Sequence, residues 1–501
     1  MRAFEILILS ILSLYAFSMF VGVERKSRWL RLLPGFSLAI VLIQILVEGQ
    51  RWQMYPIYVY AVLLFALTFK NMRFAQRPSD KPKSKGNLLF RIVGGISNVL
   101  LLVVIAMPPL LLPVFKLPIP TGPYNVGTRY DYFIDKNRPE PLTPDSTDFQ
   151  EISVQVWYPA EISSDDRPVA YWENASEKSE IISKFWGGLP AFLFSHFSLV
   201  RTHSYLDANL SKTEWTYPVL IFNHGSIGLP SLNTVLMEDL ASNGFIVFSI
   251  GHSDYSPFFI KPDGTIKAFD PAGEALQSKM RENDDPEVRG TAKQLMQSRD
   301  LHEQELLLRK FLEKNPHNQK SLFRWVEDIS FTINELERLN SGKGFFSGRL
   351  DLGRIGVFGV SFGGAASTQV CVREKRCKAA ISMDCPQFGD LLDHDVSQPM
   401  MFMSSEQYKG MNDVFFESKE NPLYMVTIKN STHQNLSDLS IWGRLFRMQM
   451  LGEIDGERCL RIQNTYIHAF FEKYLKGIDS RLLTGLSPEY PEVDIKLKNI
   501  E

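Results

Sequence analysis

The chain has 501 residues, with 54 basic and 56 acidic side chains and a formal net charge of −2. That length accommodates two or three domains, and the near-neutral balance excludes a bulk electrostatic attraction to nucleic acid. The four cysteines, all in the second half, have no CxxC spacing and no clustered histidines, so no zinc site is expected and no metal or cofactor is implied.

Four apolar stretches open the chain: Phe4 to Val21, Leu33 to Val47, Met54 to Phe69 and Ile92 to Phe115. A bilayer crossing takes roughly 20 apolar residues. The first and fourth reach that length; the second and third are short and would span as a tight hairpin through Gly49-Gln50-Arg51-Trp52. Trp29, Trp52, Tyr55 and Tyr58 stand at segment ends, where aromatic belts form. No small-residue cleavage site precedes Glu24-Arg25-Lys26, so the first segment is expected to be a retained helix. Basic residues gather after the first segment (Arg25, Lys26, Arg28, Arg31) and between the third and fourth (Lys70, Arg73, Arg77, Lys81, Lys83, Lys85), with Arg51 alone between the second and third. This asymmetry predicts a multi-pass cell-membrane protein with both basic loops in the cytoplasm and everything after Phe115 outside. The expected division is a membrane domain of about four transmembrane helices over residues 1–117, a stiff Pro- and Gly-rich linker over 118–130, and a globular domain over 131–490.

In the globular part, Ile152 to Pro159 alternates at period two and predicts a strand. Tyr217 to Asn223 is a continuous apolar run that leads into His224-Gly225-Ser226. Leu236 to Asn243 is a short helix closed by Gly244, as a C-terminal glycine cap requires, and Phe245 to Ile250 is another buried strand before Gly251-His252-Ser253-Asp254. A charged amphipathic insertion covers 282–315, as lid or surface helix, and Phe323 to Leu339 forms a further amphipathic helix. Continuous apolar strands alternating with helices predict an α/β domain with a mostly parallel sheet covered on both faces.

The most informative stretch is Arg354 to Gly364. A strand over Ile355 to Phe358 stops at Gly359-Val360-Ser361-Phe362-Gly363 and is followed by a small-residue helix. Strand, sharp turn, serine, helix is the context of a nucleophile elbow. Two strands ending near an acid follow (Lys378 to Asp384, Pro399 to Glu406), and then a last strand, Leu423 to Ile428, before His433. Serine, acid, histidine is the chain order of hydrolases built on such an elbow, with Ser361 as nucleophile and His433 as base. Asp384 and Glu406 are both open as the acid; His394 and His468 fit the order less well. In such hydrolases the oxyanion hole uses one N–H from the loop after the earlier strand and one from the residue after the nucleophile. The candidates are therefore the backbone N–H groups of Ser226 and Phe362, with His224 as a loop-stabilising hydrogen bonder. Cys371 and Cys377 either pair in an exported domain or remain reduced thiols.

From Thr121-Gly122-Pro123-Tyr124-Asn125-Val126-Gly127 to about Asp438, the sequence resembles the platelet-activating factor acetylhydrolase family of α/β-hydrolase serine esterases. The resemblance rests on Phe222-Asn223-His224-Gly225, Asn243-Gly244-Phe245-Ile246-Val247, the elbow, Met383-Asp384, Ser404-Ser405-Glu406 and His433-Gln434-Asn435. It implies Ser361 as nucleophile, Asp384 rather than Glu406 as acid, and His433 as base. It also implies a metal-independent esterase acting on phospholipids with a short or oxidised sn-2 acyl chain. Val360 stands where the family usually has His, a change of flanking side chain that bears on substrate preference. The four-segment anchor lies outside the resemblance. The alternatives are a related hydrolase of peptides, polyesters or thioesters, since one triad serves all acyl transfer, and a non-catalytic membrane scaffold that keeps the fold.

Overall fold

The computed structural model describes residues 1–23, 27–74, 88–140, 145, 147–185, 189–226, 228–253, 255–268, 282 and 285–500. The apolar N-terminus forms helices α1 (Ala3–Val21), α2 (Leu33–Glu48), α3 (Tyr55–Phe74) and α4 (Leu88–Leu111). Among the described residues, four helices are long and apolar enough to cross a membrane. The second and third are longer than the sequence predicts. The 3-10 turns Leu30–Leu32 and Trp52–Met54 precede them and bring the apolar spans to 19 and 21 residues, about 30 Å at the helical rise. Helix α4 stops at Leu111 rather than Phe115, because Pro113 has no N–H to continue the ladder and disfavours the helical conformation in the residue before it. Of the two basic loops, residues 24–26 and 75–87 lie outside the described residues.

Arg51, the lone basic residue of the second connection, does not face solvent. Its guanidinium donates to both carboxylate oxygens of Glu5 at 2.7 and 2.8 Å and to the Leu112 carbonyl at 2.7 Å. Glu5 and Arg51 are both buried. This pair ties the start of α1, the α2–α3 turn and the exit of α4 into one end of the helical bundle, which fixes where the chain leaves it.

The globular part is built on a twelve-stranded sheet. Its first strands are β1 (Asn125–Pro139), β2 (Phe149–Glu161), β3 (Pro168–Ala170), β4 (Arg201–Leu206) and β5 (Asn209–Leu210). The central ones are β6 (Tyr217–Asn223) and β7 (Ile246–His252), followed after the small hairpin β8 (Phe258–Ile260) and β9 (Ile266–Ala268) by β10 (Leu350–Val360). Then come β11 (Cys377–Met383), β12 (Met400–Ser405), β13 (Leu423–Ile428) and β14 (Val493–Lys498). The spatial order is β14-β13-β12-β11-β10-β6-β7-β2-β1-β4-β3, with β5 on β2. Strands β7, β6, β10, β11, β12 and β13 are mutually parallel, and β2 and β14 flank them antiparallel. Every residue of β6 and β7 is buried, as expected of parallel strands with helices on both faces. This is the mixed, mostly parallel α/β-hydrolase architecture.

Helices α5 (Ala175–Phe185) and α6 (Thr234–Ser242) come before the insertion. The expected insertion is two helices, α7 (Pro286–Gln297) and α8 (Leu301–Glu313), not one. Asp285 accepts from the Glu287 N–H and Asp300 from the Glu303 N–H, so an acidic N-cap starts each. Helices α9 (Pro316–Ser341), α10 (Phe362–Arg373), α11 (Asp413–Ser418), α12 (Arg444–Met450) and α13 (Gly456–Phe471) complete the fold.

The connection between α4 and the sheet is packed rather than a spacer. Leu112, Phe115 and Leu117 are buried in a cluster with Tyr171, Trp172, Phe197 and Trp442. The Thr121 N–H donates to Asp239 and the Gly122 N–H to Ser242, both on α6. Residues 125–130, assigned from sequence to the linker, are the first residues of β1, where Gly127 lies so close to the Tyr158 ring that a Cβ would come within 2.3 Å of it. Trp52 at the head of α3 meets Phe192 edge-on at 4.7 Å, so the helical bundle and the globular part share an apolar contact.

Candidate active site

Strand β10 ends at Val360 and α10 begins at Phe362, which leaves Ser361 at φ 54°, ψ −132°. A non-glycine residue there costs on the order of 1–3 kcal/mol and persists only when its surroundings enforce it. The Ser361 N–H donates to the Met383 carbonyl at 2.7 Å, and the Ser361 carbonyl accepts from the Gly364 N–H at 2.8 Å. Close packing below the turn demands glycine: a Cβ at Gly363 would lie 2.2 Å from the Asn223 carbonyl oxygen and 2.4 Å from that of His224. The end of β6 is thereby pressed against the elbow, and a Cβ on Gly225 would approach the Ser361 Cβ to 3.0 Å.

Asp384 follows β11, the neighbour of the elbow strand, and has φ 55°. Its carboxylate is buried and has defined partners on both oxygens. Oδ1 accepts from the Ser405 N–H at 2.6 Å and from the Ser405 hydroxyl at 2.9 Å, and Oδ2 accepts from His433 Nδ1 at 2.8 Å. His433 opens a 3-10 turn after β13, preceded by Thr432, whose hydroxyl and N–H meet the Asn435 side chain. The His433 N–H donates to Gln407 at 3.1 Å, and the Tyr408 ring lies 5.3 Å from the imidazole. Burial pushes the Tyr408 phenol up to about 12, so it stays neutral beside the imidazole.

Ser361, Asp384 and His433 line one cavity of about 280 Å³, together with Ser226 and Phe362. The N–H of Phe362 belongs to the first turn of α10, where N–H groups point out of the helix end. The outer wall comes from the insertion: Val288, Arg289 and Ala292 of α7 and Phe311 of α8, opposite Phe388 and Met411. The sequence allowed that insertion to be either a lid or a surface helix and could not choose between them, because it is separated from the serine by more than a helix and a strand. Nor did it single out Ser405, whose donors hold Asp384.

The other sequence candidates stand elsewhere. Glu406 accepts from the Asn430 N–H at 2.6 Å and so braces the loop before His433. His394 pairs with Asp390 at 3.3 Å and His468 with Glu472 at 3.2 Å. His224 is buried; its Nδ1 meets the Gly225 carbonyl at 2.6 Å and its Nε2 accepts from the Ser256 hydroxyl at 2.8 Å and the His252 N–H at 3.2 Å. Both ring nitrogens are used within the loop, the bonding role expected of it. Cys371 at the end of α10 and Cys377 at the start of β11 are joined in a disulfide with Cα atoms 5.4 Å apart. Among the described residues no group of three or more His, Cys, Asp or Glu side chains is placed to hold a metal ion.

A mostly parallel sheet that presents a strained serine, an acid-bound histidine and a shared cavity at its carboxyl edge defines an α/β-hydrolase. A solved ferulic acid esterase from Streptomyces cinnamoneus shares this fold, with a TM-score of 0.56 and 22% identity over 76% of this chain and 99% of that one. The sequence pattern of the family described as "Platelet-activating factor acetylhydrolase, isoform II" matches residues 112–481, and the chain belongs to that family. Platelet-activating factor acetylhydrolase of Bos taurus is 26% identical over 381 residues, 72% of this chain and 77% of the relative. That of Cavia porcellus is 26% identical over 375 residues, 72% and 78% of the two chains. The protein is a carboxylic ester hydrolase. The match begins at Leu112, one residue after α4 ends.

Proposed function

We propose that the protein is a membrane-anchored serine esterase that cleaves phospholipids with short or oxidised sn-2 acyl chains through an acyl-enzyme. The observation that carries this reading is Ser361, strained at its elbow, sharing a small cavity with an imidazole whose Nδ1 is held by a buried carboxylate. In this mechanism Ser361 Oγ attacks the ester carbonyl and its proton passes to His433 Nε2. Asp384 keeps Nδ1 protonated and stabilises the imidazolium. The N–H groups of Ser226 and Phe362 take the developing oxyanion. The alcohol leaves with the proton from Nε2. Water, deprotonated by the same nitrogen, then attacks the acyl carbonyl to release the carboxylic acid and restore Ser361.

Two features support the substrate class. A cavity of about 280 Å³ lies at the small end of ligand sites, and its walls of Val288, Ala292, Phe311, Phe388 and Met411 suit a short acyl group. Arg289 at the same cavity supplies a cation of the kind that recognises phosphate. Support for the anchor comes from the outward apolar faces of the four helices, with Leu46 at 85% and Leu100 at 60% exposure, surfaces that suit lipid rather than water. The N-terminus, the Arg51 turn and the exit of α4 share one end of the bundle, whereas Arg28 and Arg31 follow the opposite end of α1 and Lys70 lies near the opposite end of α3. This fits an extracytoplasmic hydrolase domain, as does the Cys371–Cys377 disulfide.

The test is labelling with a fluorophosphonate probe, followed by a panel of phosphatidylcholines of increasing sn-2 length in detergent micelles. Ser361 is expected to carry the label, the Ser361→Ala protein none, and turnover to fall steeply beyond short acyl chains. Failure to label folded protein would overturn the mechanism; a flat acyl-length profile would overturn the substrate class alone.

A further inference from the structure

Below the oxyanion loop lies a buried polar network separate from the triad. His252, the last residue of β7, is fully buried, and its ring stacks on Trp325 of α9 at 3.7 Å with the planes 9° apart. Its Nδ1 faces Asp328 Oδ2 at 2.8 Å and its Nε2 faces Asn223 Oδ1 at 3.2 Å. The orientation of the Asn223 amide is fixed by its other neighbours. Its Nδ2 lies 2.9 Å from Ser367 Oγ and 3.4 Å from the Phe358 carbonyl. The carbonyl only accepts, and the Ser367 proton is committed to the Gly363 carbonyl at 2.7 Å. The NH₂ of Asn223 must therefore face these two acceptors, which turns its oxygen toward His252. An amide oxygen and a carboxylate oxygen both only accept, so both ring nitrogens of His252 must donate.

We infer that His252 is held as an imidazolium and acts as a positioning residue that clamps the oxyanion loop to the nucleophile elbow. This rests on the triad reading above. The charge is balanced along an alternating chain. Asp328 also accepts from Arg138 at 2.8 Å, and Arg138 donates to Asp135 at 2.6 Å, with Glu327 at 3.5 Å on the surface side. Arg324 and His224 are the other titratable groups nearby from α9 and the loop after β6. Burial pushes the Asp328 carboxyl up to about 6, so it is ionised at neutral pH and above. Stacking of the cation on the Trp325 face adds a favourable contact, and the edge of Trp325 in turn abuts Phe362 at 4.9 Å.

The clamp works through named bonds. His252 fixes Asn223, which immediately precedes the oxyanion loop and is bonded to both the elbow strand and α10. The His252 N–H also holds His224 Nε2. If the ring lost one proton, a lone pair would face either Asp328 or the locked Asn223 oxygen, and the junction between Ser226 and Phe362 would loosen. Oxyanion donors act on the transition state, so the effect belongs in kcat rather than KM.

The test uses the full chain in nanodiscs with ¹⁵N-labelled histidine. Of the nine histidines, one is expected to keep both ring nitrogens protonated at pH 8, where solvent-exposed imidazoles are neutral. Asp328→Asn removes the counter-charge but keeps an acceptor. It should abolish that signal at pH 8 and lower kcat on a soluble short-chain ester about tenfold or more, toward the 10²–10³ that loss of one oxyanion donor costs. KM should stay within about twofold, and the ratio to wild type should recover on lowering the pH to 6. No doubly protonated histidine at pH 8 in the wild type would overturn the inference whether or not the variant folds. A kcat deficit equal at both pH values would also overturn it. Loss of fluorophosphonate labelling in the wild type would instead strike the triad reading.

Discussion

Asp384→Asn offers the sharpest test of the proposed triad, because the structure dictates which way the new amide must turn. Asp384 Oδ1 accepts from the Ser405 N–H at 2.6 Å, a donor fixed by the backbone. The oxygen of an asparagine must stay there, since turning the NH₂ toward Ser405 would oppose two donors in a buried site. The NH₂ is then presented to His433 Nδ1, now at 2.8 Å from Oδ2. Nδ1 must accept, the ring proton moves to Nε2, and the nitrogen that should receive the Ser361 proton is already occupied. The shape is kept, so the fold should persist. The expected loss is about 10⁴-fold in kcat, the scale of the same tautomer error in another serine hydrolase, or about 5 kcal/mol of transition-state stabilisation. Asp384→Ala differs: it leaves the buried Ser405 N–H and hydroxyl without an acceptor and should cost about 1–3 kcal/mol of stability as well. The assay is hydrolysis of a p-nitrophenyl short-chain ester by detergent-purified protein, with thermal melting alongside. Asp384→Asn turnover within tenfold of wild type, in protein that melts normally, would refute the assignment of Asp384.

Gly363→Ala should destabilise the fold by about 2–3 kcal/mol, because its Cβ meets backbone oxygens of Asn223 and His224 at 2.2 and 2.4 Å that no side-chain rotation can relieve; an unchanged melting temperature would contradict this. Glu238 on α6 is buried, accepts from the Ser204 hydroxyl and the His203 N–H, and is pushed up to about 7 by desolvation. Its raised value means that the folded state binds the proton more tightly than the unfolded chain. The contribution of Glu238 to stability should therefore be greatest below about pH 4.5, fall as the pH rises to about 7, and level off above, by on the order of 3 kcal/mol. Glu238→Gln should flatten that slope in melts taken from pH 5 to 8, and an unchanged slope would assign it to other groups. A chain starting at Leu112 should fold and hydrolyse soluble ester, whereas one starting at Pro118 lacks Leu112, Phe115 and Leu117. Each of these buried side chains contributes about 2–5 kcal/mol, so equal yields and melting temperatures for the two chains would refute the packed connection.

The sequence alone determined whatever rests on short-range pattern. Four apolar runs, two of them of full spanning length, continuous hydrophobic strands, and a serine between glycines at the end of one of them are each visible within about twenty residues. Period and turn chemistry act locally, so they survive in the string of letters. The order Ser361, acid, His433 is likewise a property of the chain. The proposed roles of these residues rest on the geometry that the order anticipates.

Chain order left two acids open to the histidine and the family resemblance favoured Asp384, but the physical reason lies in the tertiary structure. Asp384 and Glu406 both follow strands, but β11 adjoins the elbow strand while β12 lies one place farther out, and Glu406 instead caps Asn430. The same limit hid the packed connection. Nothing near Phe115 in sequence announces that its ring fits edge-on against Tyr171 and Phe197 at 5.4 and 5.3 Å, so proline content alone suggested a spacer. It hid the buried Glu5–Arg51 pair, the cover that α7 and α8 place over the cavity, and the His252–Asp328 contact between residues 76 apart. Each joins residues that the chain separates by tens to hundreds of positions. Their partners are chosen by sheet order and helix packing, and a polar side chain declares its partner only once burial has removed water as the alternative.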